Sequence, residues 1–281
     1  MSERRSVSYS YPMQPLHAKE GWFVSHLFFR FDRVAWERIS DEEKSRRKAE
    51  FARIVSEFRS GENCQLNCYS VWGLKADSAV MLIDPDLHHL NETEIRLAAC
   101  LGPGVLEPVY AFISMSEISE YMSQDRDYDQ NLRNKEGLTP DSPVYQEKMK
   151  AFRERMQSYI NERLYPRIPD HSVLCFYPMS KQRGDKENWY LLDFDARKTY
   201  MAGHAITGRK FHATVKQLVT GSIGLDDWEW GVTLFSDDPF YFKKILYEMR
   251  YDEASARFGE FGPFYVGIRL EPDALFRRLQ V

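Results

Sequence analysis

Residues 22–31 read WFVSHLFFRF, and this run sets the first element of the fold. It is rich in aromatic and β-branched residues and its apolar positions alternate, which is typical of a β-strand. Residues 41–58 instead carry apolar side chains at helical spacing, which predicts an α-helix. The other elements predicted for this half are two strands, a helix and a strand, at 66–74, 79–83, 86–100 and 109–115. The first half is therefore predicted to follow the order βαββαβ.

The second half of the chain repeats this order. Its predicted elements are a strand, a helix, two strands, a helix and a strand, at 189–193, 195–207, 211–219, 228–235, 239–250 and 263–270. Trp-Gly pairs fall in corresponding strands of the two halves, at 72–73 and 230–231. Asp-Pro pairs open corresponding helices, where proline is tolerated at the first position, at 84–85 and 238–239. A duplicated unit of this kind predicts an α+β fold, with two tandem ferredoxin-like repeats forming a dimeric α+β barrel.

The region between the two halves predicts their boundary. Residues 123–143 are polar and charged, so we expect an exposed loop. Apolar side chains from Tyr145 to Leu164 then recur at helical spacing, which predicts a connecting helix, and a further strand is predicted at 173–177. We divide the chain into an N-terminal extension, a first repeat without a cofactor, a charged loop with the connecting helix, and a cofactor-binding second repeat, at 1–20, 21–122, 123–171 and 172–281.

Composition narrows the possible partners and the location. A formal net charge of -4 and a pI near 6.0 argue against binding to the backbone of a nucleic acid, which needs a basic surface. Residues 1–20 lack the apolar core of a signal peptide, and no run approaches the ~20 apolar residues of a membrane helix. The four cysteines are too scattered for a disulfide framework. We expect a cytoplasmic protein with no nucleic-acid partner and no membrane span.

Two groups of residues in the first half contain possible metal ligands. Cys64 and Cys68 have CxxxC spacing, but no second Cys/His pair of zinc spacing follows. Asp84, Asp86 and the pair His88–His89 are a second group, although Asp-Pro-Asp is also an ordinary turn and helix start. For both groups the sequence favours the ordinary structural role over a metal site.

The residues best suited to chemistry lie in the second half. His204 is flanked by small residues in MAGHAITG (201–208), so a flat ligand could approach the helix backbone. Gln217 falls among the apolar positions of the following strand, where a buried amide needs a hydrogen-bond partner. If the helix covers that strand, His204 and Gln217 face each other across a space suited to a porphyrin. Tyr177 and Lys181 lie close together on the neighbouring hairpin. The ordinary alternative is a buried core histidine without a metal.

Seven sequence blocks of the second half occur in a defined order and spacing. They are YPMSK (177–181), NWY (188–190), MxxH (201–204), GSIGLDD (221–227), EWGVTLF (229–235), YEMR (247–250) and GEFG (259–262). As a set they resemble the signature blocks of the coproheme decarboxylases (HemQ type) of the chlorite dismutase superfamily. The resemblance extends over 22–281 at the level of the fold and is most specific over 172–267.

The resemblance implies a role for each matching residue. His204 matches the axial ligand of the haem iron, Tyr177 the tyrosine whose radical attacks the propionates, and Lys181 the lysine that assists it. Gln217 matches the residue on the distal side. Ala205 departs from the glycine that follows the histidine in many relatives. Further cofactor-binding positions implied in this way are the propionate-binding Arg163, Lys181 and Ser255, and the pocket residues Met179, Trp189 and Trp230.

The activity implied by the resemblance is the oxidative decarboxylation of coproheme III (iron coproporphyrin III). Hydrogen peroxide is the oxidant, two propionates become vinyl groups, and the product is haem b of the coproporphyrin-dependent biosynthesis pathway. The iron porphyrin then serves as both substrate and redox centre. The resemblance also implies a homopentamer and a transient contact with coproporphyrin ferrochelatase.

Three other functions are compatible with the same sequence. The first is chlorite dismutation, but the distal arginine of that reaction is replaced by Gln217. The second is non-catalytic binding or transfer of haem, for which His204 would suffice without Tyr177 and Lys181. The third is a ferredoxin-like structural module in which His204 belongs to the core.

Overall fold

The computed structural model describes residues 14–281, so residues 1–13 of the predicted N-terminal extension lie outside the described residues. Ser40 begins the long second helix, because its side chain accepts a hydrogen bond from the backbone N–H of Glu43. In order, the first half contains β1 (Phe23–Phe31), α1 (Arg33–Glu37), α2 (Asp41–Ser60), β2 (Gln65–Trp72), β3 (Ser78–Asp84), α3 (Leu87–Cys100) and β4 (Leu106–Ser116).

Two helices, α4 (Asp125–Asn134) and α5 (Pro143–Leu164), connect the halves. The prediction of an exposed loop at 123–143 is therefore wrong for residues 125–134, which form α4. Gln124 and Asp127 form a capping box at the start of α4, and Tyr128 stacks on Phe152 of α5 with ring centres 4.3 Å apart. Tertiary packing thus stabilises a helix whose polar composition is typical of a loop.

The strand predicted at 173–177 is the first strand of the second repeat, in place of the one predicted at 189–193. Its elements are β5 (Val173–Lys181), α6 (Phe194–Arg209), β6 (Lys216–Gly221), β7 (Trp230–Ser236), α7 (Phe240–Met249), α8 (Glu253–Phe258), β8 (Gly259–Phe261), β9 (Tyr265–Leu270) and α9 (Pro272–Leu279).

The strand predicted at 189–193 is wrong, because residues 189–191 form a 3-10 turn. The side chain of Asn188 accepts a hydrogen bond from the backbone N–H of Tyr190 at 3.0 Å, and this local bond favours a turn over a strand. The strand predicted at 211–219 is also wrong in its first part. Phe211–Thr214 is a turn in which the N–H of Thr214 donates to the carbonyl of Phe211 at 2.9 Å, and the strand begins at Lys216.

The strand order confirms the duplicated α+β fold. The first repeat has the order β4-β1-β3-β2, and the second has the equivalent order β9-β5-β7-β6. Strand β2 pairs with β9 and strand β6 pairs with β4, so the two four-stranded sheets close into one antiparallel barrel. The short β8 adds to the end of β5. Two ferredoxin-like repeats thus form a dimeric α+β barrel within one chain.

Among residues 14–281, three large clusters of apolar side chains fill the two repeats, and a fourth, smaller one lies between α4 and α5. One lies inside the barrel and includes Phe28, Phe112 and Phe176. The other two lie between each repeat's sheet and its helices. In the first repeat, α2 buries four residues against the sheet, whereas α6, its counterpart in the second repeat, buries none. Helix α6 therefore stands away from its sheet, and this leaves space beneath it. No helix between residues 14 and 281 is long and apolar enough to cross a membrane.

Candidate functional site

A cavity of about 750 Å³ lies between α6 and the outer face of the second repeat's sheet. Such a volume is typical of pockets for organic ligands and cofactors. Every residue predicted for the site lines this one cavity. They are Arg163, Tyr177, Met179, Lys181, Trp189, His204, Gln217, Trp230 and Ser255.

The wall formed by α6 includes two small residues, Ala205 and Gly208. Met201, His204, Ala205 and Gly208 recur every three or four residues, which places them on one face of the helix. A Cβ atom at position 208 would lie 3.1 Å from the Met249 Cε atom. Gly208 therefore leaves room for the Met249 side chain to pack against the helix, and Ala205 adds only a methyl group to this wall.

His204 is held by a carboxylate that sequence reasoning missed. Its Nδ1 atom lies 3.1 Å from Oδ2 of Asp252 and 3.4 Å from the hydroxyl of Ser255. The other carboxylate oxygen of Asp252 accepts from the N–H of Ser255 and caps α8. Burial alone would raise the pKa of Asp252. The hydrogen bond and charge of His204, together with the hydrogen bonds of Ser255, lower it by more, so the pKa of this carboxyl lies below its usual range. An anionic partner on Nδ1 leaves Nε2 as the nitrogen available to a ligand.

The sheet supplies the opposite wall. Val215, Gln217 and Val219 line the cavity, whereas the alternate residue Leu218 belongs to the core inside the barrel. This alternation is the one expected for β6, although the strand is shorter than predicted. His204 and Gln217 thus lie on opposite walls, as the sequence predicts.

Tyr177 is almost completely buried, with 4% of its surface exposed, and lies on β5. Its ring stacks on Phe264 with ring centres 4.5 Å apart. Burial raises the pKa of Tyr177, so the phenol keeps its proton at neutral pH. A protonated phenol fixed at a cavity wall can donate both a proton and an electron to a bound oxidant.

Lys181 lies at the end of the same strand and is also buried. Its ammonium nitrogen lies 4.4 Å from the centre of the Trp189 ring, an arrangement that stabilises a cation. Its backbone N–H donates to Oε2 of Glu229 at 2.7 Å, which anchors the strand end. Burial lowers the pKa of Lys181 to about 8, although Asp252 and Glu229 act in the opposite direction. Lys181 can therefore exchange a proton near neutral pH.

Arg163 reaches the cavity from the C-terminal turn of α5. Its Nε atom is buried and has no hydrogen-bond partner among the described residues. A guanidinium with an unpaired, buried N–H group is suited to a carboxylate ligand.

The first repeat also contributes to the cavity, which sequence reasoning missed. Glu117, one residue after β4, accepts a hydrogen bond at 3.2 Å from Nε1 of Trp230. Burial raises the pKa of Glu117, and the hydrogen bond from Trp230 and the charge of Arg163 only partly offset this rise. No motif marked Glu117, because its contacts depend on the β4–β6 pairing that joins the repeats.

Comparisons with known proteins agree with this architecture. A sequence model described as chlorite dismutase matches residues 44–270. A protein of Natronomonas pharaonis that is named as heme-binding is 37% identical over 265 residues, which cover 93% of this chain and 41% of the relative. The chain thus spans about two fifths of the length of that relative.

Two solved structures have the same fold. A heme-binding protein from Thermus thermophilus is 38% identical, with a TM-score of 0.77 over 95% of this chain and 98% of that one. Chlorite dismutase from Candidatus Nitrospira defluvii in complex with imidazole has a TM-score of 0.68 over 94% of this chain and 97% of its own, at 16% identity. The second likeness concerns the fold alone.

Fold and cavity together define a class of protein, the duplicated ferredoxin-like barrel with a ligand cavity beneath the first helix of its second repeat. The family match over most of the chain and the identity to the Thermus protein specify the class further. The chain belongs to the chlorite dismutase family.

Proposed function

We propose that this protein binds an iron porphyrin with His204 as the axial ligand and acts as a coproheme decarboxylase. The observation that carries the proposal is that Tyr177, Lys181 and Arg163 line the same cavity as a histidine paired with a buried carboxylate. The relatives named as heme-binding support the choice of ligand.

The residues of the cavity fit an iron porphyrin. Asp252 orients His204 through Nδ1 and makes the imidazole a stronger ligand, the arrangement commonly found around metal-binding histidines. Helix α6 has no buried residue of its own, so a planar ligand would supply the apolar contacts that the helix lacks. Ala205 adds only a methyl group on this side, which would let that ligand approach the helix backbone.

The buried cations fit the carboxylates of coproheme. The Nε atom of Arg163 is buried without a hydrogen-bond partner among the described residues, and the buried Lys181 forms no salt bridge there, so each can still bind an anionic group. Propionate groups would provide the missing charges, with Ser255 as an additional hydrogen-bond donor. Trp189, Trp230 and Met179 would pack around the ring. Haem b has two carboxylates fewer, so this cavity is better matched to coproheme.

When bound, the iron porphyrin supplies the oxidising capacity of hydrogen peroxide. Tyr177 gives up one electron and its phenolic proton, and the resulting tyrosyl radical takes a hydrogen atom from the β-carbon of a propionate. A further electron leaves the substrate, the bond to the carboxyl carbon breaks, and carbon dioxide departs as the vinyl group forms. Each propionate thus loses two electrons and one peroxide is reduced to two waters. Lys181 holds the reacting carboxylate or exchanges the phenol's proton.

Gln217 distinguishes this activity from chlorite dismutation. A dismutase-like reaction requires a cation on the distal side to stabilise an oxyanion, and Gln217 is neutral. Non-catalytic haem carriage is the remaining alternative, and it assigns no role to Tyr177.

Substitution Tyr177→Phe tests the proposal, with Tyr159→Phe as the matched control because Tyr159 lines the same cavity. We expect Tyr177→Phe to bind coproheme with an unchanged absorption spectrum and to lose decarboxylation, while Tyr159→Phe keeps both. Unchanged turnover in Tyr177→Phe would refute the radical role. If Tyr177→Phe, but not Tyr159→Phe, failed to bind coproheme, Tyr177 would have a binding role in place of the radical role.

The assembly and the cellular context belong to the same proposal. We expect a cytoplasmic homopentamer that meets coproporphyrin ferrochelatase transiently to receive its substrate. Analytical ultracentrifugation tests the pentamer, and crosslinking to the ferrochelatase during turnover tests the contact.

A further inference from the structure

We propose that Cys64, Asp84 and His89 form a zinc site on the first repeat. Cys64 lies just before β2, Asp84 is the last residue of β3, and His89 lies in the first turn of α3. One ligand atom from each residue lies within 4.8 Å of the other two. None of the three lines the cavity of the second repeat, so this proposal is independent of the porphyrin site.

The spacing of the three ligand atoms approaches that of a tetrahedral zinc site. The Sγ atom of Cys64 lies 3.6 Å from Oδ2 of Asp84 and 3.9 Å from Nδ1 of His89. Zinc bond lengths and tetrahedral angles give ligand-to-ligand separations of about 3.3–3.6 Å. The Asp84–His89 separation is 2.6 Å, because these two groups hydrogen-bond directly. An ion would replace that hydrogen bond, and the two atoms would move apart by less than about 1 Å.

The surroundings hold two of the ligands in place. Oδ1 of Asp84 accepts a hydrogen bond from the backbone N–H of Asp86 at 2.7 Å, which leaves Oδ2 directed at the cluster. The ring of His89 stacks on Phe58 at 5.0 Å, with the two planes inclined by 15°. Contacts with neighbouring groups orient the ligands of known metal sites in the same way. The Asp84 side chain is only 1% exposed, so its position is fixed by its protein neighbours.

The cluster has an open side through which an ion can enter. The His89 side chain is 39% exposed, whereas that of Asp84 is buried. Three protein ligands and one water would complete four-coordination, the arrangement of zinc sites with an exchangeable position. Thiolate and imidazole ligands favour zinc over magnesium or calcium, which prefer oxygen. Binding converts the Cys64 thiol into a thiolate and releases its proton to solvent.

The site would join three elements of the first repeat at one point. Sequence spacing pairs Cys64 with Cys68, but Cys68 is buried in the apolar cluster beneath α2. The structure instead brings Cys64 to Asp84 and His89, which follow it by 20 and 25 positions. A metal here would tie the start of β2 to the end of β3 and to α3.

Cobalt(II) and zinc(II) titrations of the full-length, porphyrin-free protein test the proposal. We expect one equivalent of cobalt to produce a thiolate charge-transfer band and the intense visible bands of a tetrahedral site, and zinc to displace it. Substitutions Cys64→Ser and His89→Gln should each weaken zinc binding by at least about tenfold, since loss of an outer-shell partner alone costs that much. Cys100→Ser and His88→Gln are matched controls and should bind as the unmodified protein does.

Three results would overturn the proposal. They are a titration without stoichiometric binding, a cobalt spectrum without a thiolate band, and zinc affinity that survives Cys64→Ser. The cobalt spectrum of the unmodified protein decides the question even where a variant folds poorly. Zinc should also protect Cys64 from alkylation without protecting Cys100, and equal labelling with and without zinc would likewise count against the site.

Discussion

Oδ2 of Asp252 lies 3.1 Å from Nδ1 of His204, a contact between residues 48 positions apart. Asp252 is also the N-cap of α8, so one side chain both starts a helix and orients the histidine. The position of the histidine is thereby coupled to the packing of α6 against α8.

Asp252→Asn should weaken the binding of iron porphyrin by about 10–100-fold, because an outer-shell partner of a ligating histidine typically contributes that much. The reduction potential of the bound iron should rise, since a neutral amide makes the imidazole a poorer electron donor. Asparagine is an equally good N-cap, so the melting temperature should change little. Potentiometry and a porphyrin titration measure both effects, and an unchanged potential would mean that Asp252 has only its capping role.

Gly208→Leu should reduce porphyrin binding strongly without unfolding the protein. A Cβ atom at this position would lie 3.1 Å from Met249 Cε and 3.4 Å from Gln217 Nε2, so a larger side chain occupies the cavity. Gly203→Leu is the matched control on the same helix, because a Cβ there meets no atom within 4 Å. Both changes improve helix propensity. Equal porphyrin affinity in the two variants would contradict the position assigned to the ligand.

Coproheme affinity should decrease as pH rises through about 8, where burial places the pKa of Lys181. Affinity falls in this direction because the ammonium form of Lys181 attracts a propionate, and the neutral amine formed at higher pH does not. The association constant should fall by up to about tenfold per pH unit above this pKa. Lys181→Met should bind more weakly at neutral pH and lack this pH dependence. If the coproheme affinity of Lys181→Met fell equally with rising pH, another group would be responsible for the pH dependence.

The protein should lose stability in acid through His26, which lies inside the barrel. Nε2 of His26 lies 3.0 Å from Oγ1 of Thr233, while Nδ1 has no partner among the described residues. Burial lowers the pKa of His26 from 6.5 to about 3. The unfolded chain therefore binds one proton more between these values, and the free energy of unfolding decreases by about 1.4 kcal/mol per pH unit as pH falls.

Urea unfolding at several pH values tests this contribution. His26→Gln should show a shallower loss of stability over the same range, even if its stability at neutral pH is lower. His88→Gln, a histidine on the surface of α3, should keep the original slope. Identical slopes in the unmodified protein and His26→Gln would show that other groups control the acid response.

The order of elements follows from periodicity, and local hydrogen bonds explain where that reasoning failed. Alternation and helical spacing predicted α2 and most strands, because each element buries one face. The strand predicted at 189–193 is wrong because the Asn188 side chain caps a turn, and apolar content alone does not reveal such a bond. Helix α4 was missed because its stability depends on contacts with α5, as in the stacking of Tyr128 on Phe152.

Most residues of the candidate site could be predicted from the sequence, but two could not. The predicted site residues, including His204 and Tyr177, all line one cavity, although Trp189 lies in a turn that was predicted as a strand. Asp252 and Glu117 were missed because their contacts arise only when distant elements pack together. The cap that Asp252 provides for α8 is a local contact. It does not predict which histidine the other carboxylate oxygen meets.

Peroxide titration of the protein loaded with iron coproporphyrin III, followed by the mass of the porphyrin, distinguishes a decarboxylase from a haem carrier. We expect stepwise loss of two carboxyl groups, one for each equivalent of hydrogen peroxide, ending at haem b. Tight binding through His204 with no change in porphyrin mass would contradict the decarboxylase and favour haem carriage.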